Sequence, residues 1–349
     1  MDKRTVCSTF ISAYGNIIFY VIVAMKQIYA RITCGLVFSV AVFNAQAQLI
    51  SYGQQDPQFT QYMLNTSGFN PAAIGVEDAW VSTLGVRSQW VSLPGAPVSQ
   101  SLTSHAPIYK INSAVGVTVI NDIMGQQRTT GASLDYAYHK RFGPSTLSIG
   151  ASGGIFQETI NGAKLVTPTG NYEGGVNHND PNLPVTTISK MIPDAAFGMY
   201  FFGRNLTAGI SANHLLLPIT AGNDANSGTV QYNPNGYVYV AYGFDAGNRF
   251  RIMPNVLYKT DLNEGVVDLN TLVTYNNNIQ AGISCRANTA LAFDAVALMA
   301  GMRVADRWLL SYSYDVTLSA LNTVSSGSHE IVLRYEFGYK VTAANPRYF

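Results

Sequence analysis

The feature that most constrains this chain is a period of two. Near its C-terminal end, Ile331, Leu333, Tyr335, Phe337 and Tyr339 share one parity, while Val332, Arg334, Glu336 and Gly338 take the other. Such alternation specifies a β-strand with one apolar and one polar face. Fourteen stretches past residue 48 read this way: 80–91, 98–107, 113–121, 131–141, 145–156, 195–203, 206–215, 236–245, 249–259, 266–275, 279–286, 292–303, 307–315 and 329–339. Most are about ten residues long, the length with which a tilted strand crosses a bilayer.

The connections are sorted by parity. Every second one is short: "YKIN", "GPS", "RNL", "AGN", "NNN" and "ADR". The interleaved ones at 122–130, 157–194, 216–235, 260–265 and 316–328 are longer, with modest ones at 92–97 and 287–291. Outer-membrane barrels have short periplasmic turns and long outer loops. A soluble sandwich has no reason to sort its loops so. The expected fold is therefore all-β: a transmembrane antiparallel β-barrel of about fourteen strands.

Composition agrees. The chain is 47% apolar but only 12% charged, about half the usual charged share. Beyond residue 48 no apolar run reaches the roughly 18 residues of a spanning helix. Lipid offers the backbone no partner, so a chain that spans it without helices must close into a barrel. The formal charge of +1 gives no electrostatic basis for nucleic-acid binding.

Facing follows strand by strand. Ile279, Ala281, Ile283 and Cys285 are expected toward lipid, with Gln280, Gly282, Ser284 and Arg286 toward the lumen. Trp308, Leu310, Tyr312 and Tyr314 are likewise outward, and Leu309, Ser311, Ser313 and Asp315 inward. Arg87, Asp135, His139, Arg251, Asp268, Asn270, Arg303 and Arg334 also fall on inward positions. On the lipid face a charge would cost roughly 2–4 kcal/mol at mid-membrane. "FGMYFFG" and "GYVYVAYGFD" carry bulky residues on both parities, which implies a packed or plugged lumen, or contact with another protein.

Residues 1–47 read as a targeting region. Lys26 and Arg31 precede the apolar stretch 32–43, and Ala45 and Ala47 form an A-x-A site. A second apolar stretch, 6–24, lies ahead of it, so Met25 is the true start, or the signal is long or doubled, or two helices anchor the chain in an inner membrane. Cleavage after Ala47 leaves 17 basic and 19 acidic side chains and one cysteine, Cys285, hence no internal disulfide. Residues 48–79 form an N-terminal periplasmic or plug segment, with Asp56 as N-cap and Pro57 in the first turn of a short helix. Residues 80–340 form the barrel and 341–349 a tail.

No catalytic constellation emerges. The five histidines (His105, His139, His178, His214 and His329) are scattered, and none is paired at zinc spacing. "VNHNDPN" at 176–182 reads as a polar loop tip rather than a cation site. "GASGG" at 150–154 lacks the lysine and helix of a phosphate loop. No cofactor and no metal is expected. Long polar loops are the place for a partner. There Tyr172, Asn177, His178, Tyr232, Asn233, Ser326, Ser328 and His329 are the contact candidates.

Several motifs are shared with a known family. "QDPQFTQYMLN", "FNPAAIG", "RSQWVSLPGAPVSQSLTSHAPI", "GVTVINDIMG", "MIPDAAFGMY", "ISANHLLLP" and "YSYDVTLSALNTVSSGSHEIVLRYEF" follow in order across about residues 54–338. In these the chain resembles the PorP/SprF family of outer-membrane proteins of type IX secretion and gliding systems. Asp56, Pro57, Gln61, Tyr62, Asn70, Pro71, Gln89, Trp90, Tyr314, Asp315, Gly327 and Glu330 are the residues of those motifs given structural roles. The resemblance implies a non-enzymatic barrel in the outer membrane of a Gram-negative bacterium. Its implied partners are outer-membrane lipid, type IX components such as periplasmic ring lipoproteins, and a secreted adhesin-like protein with a type B C-terminal sorting domain. "FNPAA" is also similar to the long-chain fatty-acid transporter family, which would imply uptake of hydrophobic small molecules. The tail "KVTAANPRYF" departs from the PorP/SprF pattern by leaving the terminal-strand signal internal.

Overall fold

The computed structural model describes residues 56–180, 183–216, 234–289, 292–305 and 307–338. The strands are β1 (Trp80–Ser88), β2 (Val98–Ile108), β3 (Ser113–Met124), β4 (Gln127–Phe142), β5 (Ser145–Asn161), β6 (Thr187–Phe202), β7 (Leu206–Asn213), β8 (Asn235–Tyr242), β9 (Phe244–Ala246), β10 (Phe250–Thr260), β11 (Gly265–Tyr275), β12 (Ile279–Asn288), β13 (Phe293–Val304), β14 (Trp308–Thr317) and β15 (Ser328–Phe337). Neighbours are antiparallel throughout. β1 pairs with β15 from Trp80↔Phe337 to Ser88↔His329, which closes the sheet. β8 and β9 are one strand broken at Gly243, where a Cβ would lie 2.6 Å from the Arg251 guanidinium. The fifteen segments therefore make a closed barrel of fourteen strands. Closure leaves no strand edge, so every strand can satisfy its backbone within the sheet. No helix among the described residues is long and apolar enough to cross a membrane.

The faces are inverted relative to a soluble protein. On β4, Leu134 is 73% exposed, with Tyr136 and Tyr138 beside it, while the alternating Asp135, Ala137 and His139 are buried. β12 and β14 face as their sequences predict. Aromatic pairs ring the end of the barrel that carries the short turns: Trp308 against Tyr335 (4.5 Å between centroids) and Phe250 against Tyr275 (5.0 Å). These are interfacial anchors. Turn chemistry sits at the same end. Asn276 and Asn277 both have positive φ (48° and 55°), as a tight hairpin requires, and Asn112 does too (φ 50°).

Several expectations need correction. The connection 122–130 is no long loop: β3 and β4 run on until only Gly125 (φ 61°) and Gln126 separate them. The outer loop 157–194 shortens to 162–186, because β5 extends to 17 residues and β6 to 16. No α-helix follows Asp56; three 3-10 turns, Tyr62–Leu64, Thr66–Gly68 and Pro71–Ala73, replace it. Asp56 caps nothing and is held by side chains of the wall. Residues 1–55 and 339–349, with the targeting region and the tail, lie outside the described residues, as do Tyr232 and Asn233.

The bulky second parity of β6 and β8 has its explanation inside the lumen. Tyr200, Tyr237 and Tyr239 project inward; Tyr237 and Tyr239 pack on Tyr62 and Phe69 of the N-terminal segment, and Tyr200 stacks on Tyr239. With Met63, Leu64, Leu257, Leu272, Met299, Leu309 and Val332 they form an apolar core within the barrel. One part of the lumen wall is thus greasy because a plug covers it.

Candidate functional site

The segment 56–79 threads the barrel along its height. At one end Asp56 lies against His214, just beyond the long-loop end of β7. At the other, the Asp78 carbonyl accepts from the Tyr109 hydroxyl (2.7 Å) in the short turn between β2 and β3. The plug therefore enters β1 at the short-turn end after descending from the long-loop end.

A buried ionic clasp fixes its upper half. Arg87 on β1 reaches Asp315 on β14 (2.8 Å) and Glu330 on β15 (3.2 Å), and Arg286 on β12 reaches Asp268 on β11 (2.9 Å) and Asp315 (3.3 Å). Thr60 stands at their centre. Its amide donates to Glu330 (2.7 Å), its hydroxyl donates to Asp315 (2.7 Å), and that same oxygen accepts from Arg87 (2.9 Å) and Arg286 (3.0 Å). The Gln61 amide donates to the other Glu330 oxygen (3.0 Å), and Tyr62 OH donates to the Asp268 carbonyl (3.2 Å). Each charge is almost fully buried, so desolvation is offset only because every one has a partner.

A second clasp holds the first described residue. Both imidazole nitrogens of His214 face carboxylates: Nε2 to Asp56 (2.7 Å) and Nδ1 to Asp194 (3.2 Å). Tyr237 OH donates to Asp56, and Lys259 Nζ donates to the Asp56 carbonyl (2.7 Å). Burial alone would push the Asp56 carboxyl up, but the His214 charge and the bonds from His214 and Tyr237 hold it down at about 2. Burial would likewise lower His214, yet Asp56 and Asp194 raise it to about 10. The ring is an imidazolium between two carboxylates.

The lower half is held by backbone. Asn70 Nδ2 donates to the Met199 and Ile210 carbonyls (3.1 and 3.2 Å), and Asn70 Oδ1 caps the turn by accepting from Ala72 N. Gly75 N donates to His105 Nδ1 (3.1 Å), and His139 Nε2 lies 3.0 Å from the Ile74 carbonyl. Arg334 donates to the Leu64 carbonyl (2.8 Å) and pairs with Glu77 (3.1 Å).

The family model described as Type IX secretion system membrane protein PorP/SprF matches residues 51–335, the plug and nearly the whole wall. The chain belongs to the PorP/SprF family. With its closed barrel and outward apolar face it is an integral outer-membrane protein of the type IX secretion system. No curated protein sequence matches it. Among solved structures it is similar to the P. putida toluene transporter TodX (10% identity, 79% of this chain and 94% of that one, TM-score 0.49). It is also similar to the CymD monoaromatic hydrocarbon channel (12%, 80% and 93%, TM-score 0.48) and to the Acinetobacter baumannii outer membrane protein Omp33 (8%, 75% and 99%, TM-score 0.41).

In this PorP/SprF barrel the motif residues at the two chain ends meet. Gln61 grips Glu330, and Asp56, Tyr62 and Asn70 bond to other residues of the wall, while Pro57 and Pro71 lie on the plug beside them. The "SGSHE" stretch clasps the closing seam. Val91 N donates to the Gly327 carbonyl (2.8 Å, Gly327 φ 90°) and Ser326 N to the Val91 carbonyl (2.7 Å). Trp90 N donates to Ser328 Oγ (3.1 Å), Gln89 N to the Pro97 carbonyl (2.9 Å), and Tyr314 OH to the Ser326 carbonyl (2.9 Å). His329 points outward between Tyr312 and Tyr314, its Nδ1 2.6 Å from Tyr312 OH. Ser328 is buried and His329 faces the bilayer side, so neither presents itself upward as a contact residue.

His178 needs the same correction. It is 1% exposed, with Nε2 3.0 Å from both the Gly162 and Pro184 carbonyls, and it staples the loop 162–186 from inside. Tyr172 rests on it, its hydroxyl accepting from Thr167 N (2.6 Å). Asn177 bridges to Asn171 by paired backbone bonds (2.8 and 3.0 Å). Of this loop's candidates Tyr172 and Asn177 remain exposed. Sequence reasoning missed Thr60, Asp194, His214 and Lys259. The available signal was the inward charge excess, whose arginines needed carboxylates from other strands. Among the described residues no group of three His, Cys, Asp or Glu side chains could hold a metal.

Proposed function

We propose that this barrel is a non-enzymatic docking platform. It binds a secreted adhesin-like protein through that protein's type B C-terminal domain and retains it at the cell surface, or it supports the secretion machinery by the same rim. The observation that carries this reading is the plug. A lumen occupied along its height and fixed by buried ion pairs is built to hold a shape, and it leaves the rim as the surface free for a partner. The loop 162–186 supports a binding role: His178 gives it internal order, and its polar, Gly-, Asn- and Pro-rich tip stands outside the wall. Uptake of hydrophobic molecules is less well supported, since the inward face carries Arg87, Asp135, Asp268, Arg286 and Arg334.

The test is retention. Replacing residues 166–180 by a short Gly-Ser linker should leave barrel assembly intact and release the partner that co-purifies from detergent-solubilised membranes. Unchanged co-purification would remove this loop from the docking surface. Recovery of ring lipoproteins alone, from wild type as from variant, would favour machinery support over retention.

A further inference from the structure

The plug does not fill the lumen evenly. On the β11, β12 and β14 side the inward Asp268, Asn270, Ser284 and Ser313 are buried against it or among themselves. On the β3–β5 side Thr118, Ile120, Ser133, Ser152 and Phe156 are only half-buried. Between plug and wall there lies a cavity of about 130 Å³, running from Asp56 and His214 near the long loops down to Asp135. At roughly 30 Å³ per water, it holds about four waters.

The sequence writes this space. Where other strands project Tyr239, Leu257 or Met299 inward, the β3–β6 wall places Gly116, Ser133, Ser152 and Ala196 at this level. Below, the plug closes on the wall. A Cβ on Gly150 would stand 2.5 Å from Ala72 N, and one on Gly75 would stand 2.3 Å from the Ala114 side chain. The space is a cup shut toward the short turns.

Its lower part holds a carboxylate that has no countercharge among the described residues. Asp135 is 6% exposed and accepts only from neutral hydroxyls, Thr118 Oγ1 (2.8 Å) and Ser133 Oγ (3.4 Å). Asp268, Asp315, Glu330 and Glu336, elsewhere in the lumen, each sit on an arginine. The nearby His105 supplies no charge, because its Nδ1 accepts the Gly75 amide proton. A buried carboxylate in this state attracts a cation that can also donate hydrogen bonds.

We propose that the cup binds a small organic cation of ammonium or guanidinium type. Its charged group sits on Asp135 among the Thr118, Ser133 and Ser152 hydroxyls. Its hydrocarbon part lies against Phe59, Phe156 and Ile120, which line the same cavity. This inference stands apart from the docking reading, since it needs no protein partner.

Titration calorimetry on the purified full-length barrel, with n-butylguanidinium as the probe and n-butanol as its neutral counterpart, tests it. Saturable binding of the cation alone is expected, weakened at least tenfold in Asp135→Asn. Ser152→Leu, which keeps the carboxylate and fills the cup, should weaken it as much. Heat-modifiable migration on gels checks that each variant is folded. Should the wild type show no saturable binding, or should Asp135→Asn bind as tightly as wild type, the assignment is overturned.

Discussion

The clasp around Thr60 sets a stability that Arg87→Ala should expose. The cluster holds two guanidiniums, Arg87 and Arg286, against three carboxylates, Asp268, Asp315 and Glu330. Deleting Arg87 leaves Asp315 with Arg286 at 3.3 Å. Glu330 keeps only the amides of Thr60 and Gln61. Both carboxylates are 1% exposed, so water does not replace the lost partner. Removing one member of a buried pair costs about 3–5 kcal/mol. The control is Arg141→Ala. Its pair with Asp78 (3.1 Å) has side chains 51% and 43% exposed, and about 0–1 kcal/mol is expected. Urea unfolding of the barrel in detergent, read by loss of the heat-modifiable band, measures both. In Arg87→Met/Glu330→Gln the stranded charge is gone, so the double variant should lose less than Arg87→Met alone. If Arg87→Ala unfolds within about 1 kcal/mol of Arg141→Ala, or the double variant is additive, the clasp is not the anchor described here.

Further outcomes follow from the plug and the topology. Gly150→Val should push the plug off β5, since even a Cβ lies within 2.6 Å of Ala72 backbone, and limited proteolysis should then cut near residues 66–73. The His214–Asp56 latch depends on pH in two ways. The raised His214 contributes fully below its ordinary value of 6.5 and loses its contribution as pH rises through about 10. The lowered Asp56 contributes above 3.8 and loses its contribution as pH falls through about 2. A thiol at position 58 should therefore gain reactivity near pH 10 with the latch intact, and Asp56→Asn should abolish that step; a step unchanged in Asp56→Asn would assign it elsewhere. Orientation is checked by labelling intact cells with an impermeant maleimide: Val166→Cys (79% exposed) should react and Lys110→Cys, in a short turn, should not.

What could be read before the fold was known concerns single strands. Asp268, Arg286 and Asp315 announce their inward facing by parity alone, because a pleated strand alternates its side chains whatever its neighbours are. Fourteen such strands with sorted loops leave closure as the only solution in lipid. Strand ends were less legible. β5 and β6 run past the bilayer, where alternation fades into Gln157, Glu158 and Thr159, and Gly125 marks a hairpin that the mostly polar stretch 122–130 disguised as a loop.

By itself, then, the sequence determined a barrel, its facing and its family motifs, since each depends on residues a few positions apart. Only the tertiary structure decided what lies inside. Thr60 meets Glu330 across 270 positions, Asp56 meets His214 across 158, and His178 turns into its own loop. Which inward carboxylate receives an arginine, and which, like Asp135, is left with hydroxyls, depends on distances across the lumen. No local period records those distances, because they exist only once the sheet has closed around its plug.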